Sequence, residues 1–132
     1  EMPQTKALKS SIEKLGKTYQ DDIAAMGAKL DAKIKKYSTE QATQTQTANE
    51  TRAKEVQQDR AQFEKARQSA YQEIQKKQND ELVPIIEKAE KAIEDVAASK
   101  GINYVLDASM GKGLLVKKGE DLYNAVKAKL GF

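Results

Sequence analysis

The chain has 132 residues, of which 33% are charged and 5% aromatic, and its net charge is +3. It is long enough for one domain but too poor in large apolar side chains for a wide globular core. The absence of Cys and His excludes thiol and imidazole catalysis and the usual zinc and iron sites. We therefore expect a binding protein rather than an enzyme, with no cofactor and, because basic and acidic residues are interspersed, no nucleic acid partner.

Apolar residues recur every three or four positions from Leu8 to Tyr37, and each position is repeated eleven residues later. Eleven residues complete three helical turns with little drift, so the pattern predicts a long, nearly straight helix that is paired along one side. A second stripe with the same period runs from Val56 to Val96. Two such helices with a polar connection are typical of an antiparallel hairpin.

The predicted hairpin, or arm, covers about residues 5–83. Its tip is expected near residues 44–49, because Thr47 to Glu50 match a capping box that can start the second helix. Each helix of the arm would then have about forty residues and a length of roughly 60 Å. The side chains predicted to form the seam between the helices are Leu8, Ile12, Leu15, Tyr19, Ile23, Met26, Leu30, Ile34, Tyr37, Phe63, Tyr71, Ile74, Leu82, Ile85, Ile93 and Val96.

Pro84 interrupts the second stripe and is predicted to form a hinge where the arm meets a small body of about residues 84–132. The helix should end at Lys100-Gly101. The period then changes: residues 102–106 and 114–116 read as two strands of a β-hairpin, with a turn at 107–113 between them and a last helix at 122–130. The predicted fold is therefore mainly α with a small α+β body, within a single domain.

A two-stranded hairpin with one short helix is marginal alone, so we expect the body to be completed by copies of itself. The best candidates for an oligomer interface are Tyr104, Leu106, Leu114 and Val116, because nothing else in the chain covers them.

The segment from Asp80 to Asp107 resembles the Skp (OmpH-like) family of periplasmic chaperones. The resemblance rests on the Leu82-Val-Pro-Ile core, the run from Ala92 to Ala97 and the Lys-Gly-Ile-Asn-Tyr-Val-Leu-Asp strand that ends at Asp107. It implies a homotrimer whose helical arms surround a cavity that holds unfolded outer-membrane proteins without ATP. It also implies location in the periplasm, a signal peptide that is absent from this chain, and a first body strand that is missing before residue 1.

The motifs assign no client-contacting side chains. From their positions on the arm, Lys33, Tyr37, Arg52 and Phe63 are the candidate client contacts. Two other functions stay open: a structural coiled-coil spacer, and binding of a polyanion such as lipopolysaccharide, with weak contact to a membrane. The former predicts no affinity for unfolded polypeptides, and the latter predicts affinity that falls steeply with salt.

Overall fold

The computed structural model describes residues 2–110, 112, 114 and 116–132. Its elements, in chain order, are helix α1 (Pro3–Glu40), a 3-10 turn (Gln41–Thr43), helix α2 (Gln46–Ser99) and helix α3 (Tyr123–Leu130). Two compact units are present. The hairpin unit is Lys9–Asn79, and the terminal unit consists of the described residues up to Leu8 together with Asp80–Phe132.

Helix α1 begins at a proline. Pro3 has no N–H to leave unsatisfied and its fixed φ suits a first helical residue. The carbonyl of Met2 accepts hydrogen bonds from the N–H groups of Thr5 and Lys6, at 3.1 and 3.3 Å, and so closes the first turn. The helix continues for 38 residues.

The connection between the two long helices occupies residues 41–45, which overlaps the tip of 44–49 expected from the sequence. Helix α2 begins at Gln46, and the hydroxyl of Thr45 accepts a 3.2 Å hydrogen bond from the N–H of Ala48. Thr45 therefore acts as the N-cap instead of Thr47. Thr47 lies inside the helix, where its backbone carbonyl accepts a hydrogen bond from the hydroxyl of Thr51.

Helix α2 runs for 54 residues and passes through Pro84 without ending. Its C-terminus is formed as the sequence predicts. Gly101 has a left-handed φ of 68°, and the N–H of Ile102 bonds to the carbonyl of Ala97 at 2.9 Å. This is the bonding of a helix end capped by glycine.

The predicted β-hairpin in the body is wrong: among the described residues the structure contains no strand, and 102–106 have no regular secondary structure. Tyr104 is 86% exposed and Leu106 is 68% exposed. The physical reason is that a lone pair of short strands buries too little apolar surface to offset its ordering entropy. Gly111, Gly113 and Leu115, which belong to the predicted turn and second strand, lie outside the described residues.

The last helix is present at Tyr123–Leu130. Asp121 begins it by accepting a 2.8 Å hydrogen bond from the N–H of Tyr123, and Leu122 is buried. An ion pair between Lys100 and Glu120, 2.5 Å apart, joins the residue that follows α2 to the segment that precedes α3. The terminal unit therefore has a helix before and after the segment that lacks regular secondary structure.

Candidate functional site

Four polar contacts cross the hairpin unit and share one register. They join Tyr19 to Glu73, Lys33 to Asp59, Tyr37 to Glu55 and Glu40 to Arg52, over sequence separations of 54, 26, 18 and 12 residues. Every pair is centred on Gln46, as an antiparallel pairing requires. We call these four contacts the polar lock. In three of them α1 supplies the donor and α2 the carboxylate, and at Arg52 the direction is reversed.

The part of the polar lock nearest the turn is a compact cluster around Arg52. Its Nη2 bonds to Glu40 Oε2 at 2.7 Å, and its guanidinium carbon lies 4.6 Å from the centre of the Tyr37 ring. The Tyr37 hydroxyl in turn donates a 2.6 Å hydrogen bond to Glu55. Cation–π contact and charge-assisted hydrogen bonding thus act on one guanidinium, whose fork geometry a lysine does not reproduce.

Hydrogen bonding shifts the pKa values of three donors in the lock. The hydrogen bond to Glu55 raises the pKa of Tyr37, the hydrogen bond to Glu73 raises that of Tyr19, and the hydrogen bond to Asp59 raises that of Lys33. In each case the protonated side chain is the form that makes the bond. All three donors therefore remain protonated throughout the physiological pH range.

Phe63 packs against a glycine of the opposite helix. A Cβ placed on Gly27 would lie 3.4 Å from Cε2 and 3.7 Å from Cζ of the Phe63 ring. The equivalent position one period earlier is Gly16, where no described atom beyond its own helix backbone and chain neighbours lies within 4 Å of a Cβ. Gly27 therefore contacts an aromatic ring of the opposite helix, and Gly16, among the described residues, does not.

The structure places all four predicted client contacts in interactions within the hairpin. Lys33, Tyr37 and Arg52 belong to the polar lock, and Phe63 contacts Gly27. The sequence held a usable signal for these roles, because each of the three polar residues lies as far before or after Gln46 as its partner lies on the other side. That signal needs the centre of the pairing at Gln46, which lies within the tip of 44–49 expected from the sequence.

Side chains along the predicted seam differ in exposure. Leu8 and Val96 are buried, most of the others are half-buried, Met26 is 36% exposed and Tyr71 is 67% exposed. Sequence reasoning missed a row on α2 at the same eleven-residue spacing: Asp59, Ala70, Glu81 and Ala92. Ala70 and Ala92 are among the most buried residues, with 6% and 5% exposure. Alanine is so frequent on exposed helix faces that its position gave no signal.

Large apolar side chains are exposed mainly in the terminal unit. Of the ten that are exposed in the described part of the chain, eight lie there: Val83, Ile86, Tyr104, Val105, Leu106, Met110, Val116 and Tyr123. Three of the four predicted interface residues are in this set, and the fourth, Leu114, is half-buried. Such a concentration of exposed apolar surface is typical of a region that contacts another protein.

A shallow cavity of about 390 Å³ lies between α2 and α3 in the terminal unit. Pro84, Ala92 and Leu130 give it an apolar floor, and charged side chains surround it. Asp95 accepts from both Lys91 and Lys129 at 3.3 Å. These two lysines, Lys91 first, lower the pKa of Asp95.

No arrangement of acidic side chains in the described residues could hold a metal ion. A search of the helices in the same part of the chain finds none that is long and apolar enough to cross a membrane. The geometry offers contacts between helices and an exposed apolar surface, which are features of binding.

Comparison with known proteins gives one result. The family model described as "Outer membrane protein (OmpH-like)" matches residues 1–130. No curated protein matches the chain. Since the family match covers nearly the whole sequence, the chain belongs to the OmpH-like family.

Proposed function

We propose that this protein is an ATP-independent holdase chaperone of the periplasm, which binds unfolded outer-membrane proteins and prevents their aggregation. Membership of the OmpH-like family, whose members are periplasmic chaperones for outer-membrane proteins, is the observation that carries this proposal. The protein performs no catalysis in this function. It supplies surface that competes with the self-association of client chains.

The working form is a homotrimer assembled through the terminal unit. The exposed apolar side chains of that unit support this assembly, because a monomer would keep Tyr104 and Leu106 in water. The backbone of residues 103–106 also belongs to no helix or strand of the described chain, so it is available to pair with another copy. In the trimer, Tyr104, Leu106, Leu114 and Val116 lie between subunits.

Client binding takes place on the hairpin through many weak contacts. Met26 and Tyr71 are the large apolar side chains that the hairpin unit leaves exposed in its described residues. Weak and repeated contacts suit a client that must later be released to fold. Direct client contact by Lys33, Tyr37, Arg52 and Phe63 stays a prediction, and the interactions of these residues within the hairpin compete with it.

The test of holdase activity is suppression of aggregation. A denatured outer-membrane β-barrel protein is diluted into buffer with increasing amounts of the protein, and light scattering is recorded. Suppression should saturate near three chains per client. Unchanged scattering at large excess would exclude the holdase and favour a coiled-coil spacer. Suppression that disappears steeply with added salt would favour polyanion or lipopolysaccharide binding instead.

The test of the assembly is the molar mass in solution. We expect a particle of three 14.6-kDa chains by light scattering after size-exclusion chromatography. The change Leu106→Asp should reduce it to one chain, because a carboxylate would be buried in the subunit interface. The matched control is Tyr71→Asp, an equally exposed position in the hairpin unit, which should leave the mass unchanged. A wild-type monomer would contradict the proposal.

A further inference from the structure

The apolar seam of the hairpin does not by itself determine which residues of α1 face which residues of α2. Buried and half-buried positions on α2 recur at intervals of eleven in the series Arg52, Phe63, Ile74, Ile85 and Val96. On α1 the half-buried Ile12, Ile23 and Ile34 show the same interval. A shift of one helix along the other by eleven residues, about 16 Å, therefore brings equivalent apolar positions together again.

The turn does not remove this ambiguity. Residues 38–51 contain no large apolar side chain. A connection formed a few residues earlier would therefore change the buried apolar area little. Register is weakly specified wherever the pattern of one face repeats and the loop is permissive. Something other than apolar burial must select the pairing that is centred on Gln46.

In the alternative pairing there is also space for the ring of Phe63. If each α2 residue faced the α1 residue eleven positions earlier, Phe63 would leave Gly27 and meet Gly16. Gly16 has open space around it in the described structure. A shift in the opposite direction offers no such place, because Phe63 would meet Ser38.

The polar lock distinguishes the two pairings. In the shifted register Asp59 would leave Lys33 and face Asp22, and Arg52 would leave Glu40 and face Lys29. Glu55 would exchange the hydroxyl of Tyr37 for the side chain of Met26. Two ion pairs are thus replaced by two like-charge contacts, which are unfavourable at the same distances.

We propose that the polar lock selects the register of the hairpin, and that without it α2 also pairs with α1 in a register shifted by eleven residues, with Phe63 over Gly16. Individual polar pairs at partly exposed positions stabilise a helix pair only slightly. Here they act on the free-energy difference between two registers that bury similar apolar area. When apolar burial is similar, polar pairs can determine which arrangement forms.

The natural absence of cysteine allows the register to be read by disulfide formation. In the register centred on Gln46, Ser69 faces Ile23, and in the shifted register it faces Ile12; all three side chains are half-buried. One reporter chain carries Ile23→Cys with Ser69→Cys, and the other carries Ile12→Cys with Ser69→Cys. The two reporters differ only in which of two equivalent isoleucines is replaced.

Each reporter is oxidised in three backgrounds of the full chain. The first is otherwise unchanged, the second lacks the lock, and the third is a matched control. The lock is removed by Tyr19→Phe, Lys33→Gln, Tyr37→Phe and Arg52→Gln. The control makes four changes to exposed tyrosine, lysine and arginine side chains, by Tyr71→Phe, Lys35→Gln, Lys54→Gln and Arg60→Gln.

In the first and third backgrounds we expect a disulfide between the cysteines at 69 and 23, and little between those at 69 and 12. Without the lock, the yield at 69 and 12 relative to 69 and 23 should rise about tenfold. Helical circular dichroism that is retained while coupling stays confined to 69 and 23 would overturn the proposal.

A second variant decides the question if removal of the lock unfolds the chain. Asp22→Lys and Lys29→Glu, with Lys33→Gln, place a new cation opposite Asp59 and a new carboxylate opposite Arg52 in the shifted register only. Coupling between 69 and 12 should then rise above that of the unchanged chain. If it does not, the lock has no part in selecting the register.

Discussion

The hydroxyl of Tyr37 on α1 donates a 2.6 Å hydrogen bond to Glu55 on α2, while Arg52 covers the same ring at 4.6 Å from its centre. Tyr37 thus contacts two oppositely charged side chains of the opposite helix, one through its hydroxyl and one through the face of its ring. Since Arg52 also bonds to Glu40, three contacts join the two helices within a short distance of the turn.

Replacement of Arg52 should weaken the hairpin more than replacement of an exposed arginine. Arg52→Ala removes an ion pair and a cation–π contact at a position where the side chain is 21% exposed, so we expect a loss of about 1 kcal/mol in the free energy of unfolding. Arg52→Lys should recover only part of it, because an ammonium lacks the planar fork. Urea unfolding measures both, with Arg60→Ala as the exposed control. Equal losses at the two positions would contradict the role of the cluster.

Alkaline pH should weaken the hairpin through its tyrosines. Tyr19 and Tyr37 have raised pKa values because each donates a hydrogen bond to a glutamate. The stability that these bonds contribute is complete below the unfolded pKa of about 10 and is lost as pH rises through the higher folded value. Lys33, whose pKa is also raised, acts in the same direction.

Two measurements test this alkaline effect. The difference in absorbance at 295 nm between the unchanged chain and the double variant Tyr19→Phe and Tyr37→Phe should show an ionisation above pH 10, the ordinary tyrosine value. Urea midpoints should fall as pH rises above about 10, and the fall should be smaller in the double variant Tyr19→Phe and Tyr37→Phe. The control is Tyr71→Phe, whose exposed hydroxyl should leave the profile unchanged.

Acid should weaken the terminal unit through Asp95. Lys91 and Lys129 lower the pKa of this carboxylate from its usual 3.8. Its contribution to stability is therefore complete above about pH 4 and is lost as pH falls through the lower folded value. Acid unfolding should begin at higher pH in Asp95→Asn, which lacks this contribution at every pH. Glu90→Gln, an exposed change on the same helix, serves as the control and should unfold as the unchanged chain does.

Substitutions of Gly16 and Gly27, which occupy equivalent positions on α1, should change the stability of the chain differently. Gly16→Ala should raise the free energy of unfolding by about 1 kcal/mol, because alanine favours the helix and meets no described atom there. Gly16→Val should be nearly neutral, whereas Gly27→Val should destabilise the hairpin, since a branched carbon would displace the ring of Phe63. Thermal unfolding followed by circular dichroism compares them. A Gly27→Val chain as stable as Gly16→Val would show that Phe63 is not held there.

Enlargement of the alanine row should also be costly. Ala70 is 6% exposed, and Ala70→Leu would force extra carbon atoms into a closed helix interface, at a cost of about 1–3 kcal/mol. Ala61→Leu makes the same change at an exposed position of the same helix and should change stability little. Denaturant unfolding of the two variants gives the comparison. Equal midpoints would mean that Ala70 has room beside it.

Much of the helical architecture could be predicted from the sequence. The eleven-residue apolar period indicated two long helices with a polar connection, and Gly101 and Leu130 marked helix ends close to where the structure has them. These features are local, because periodicity and capping depend on residues within a few turns of each other. The motifs from Leu82 to Asp107 likewise sufficed to suggest the OmpH-like family, which the family model confirms.

Other features were decided by contacts between distant residues. Composition could not tell whether Lys33, Tyr37 and Arg52 face solvent or the opposite helix, since charged and aromatic residues serve in both places. Their pairing depends on where the turn is centred, and Thr45 caps α2 where Thr47 was expected.

The sequence by itself therefore determined the helices, their period and the family of this protein, because short-range backbone preferences and apolar spacing are encoded locally. Only the tertiary structure decided the register centred on Gln46, the buried row of Ala70 and Ala92, and the absence of strands among the described residues. The physical reason is common to all three. Side-chain pairing, close packing of small residues and strand formation each depend on what lies opposite, and a repeating sequence allows more than one opposite neighbour.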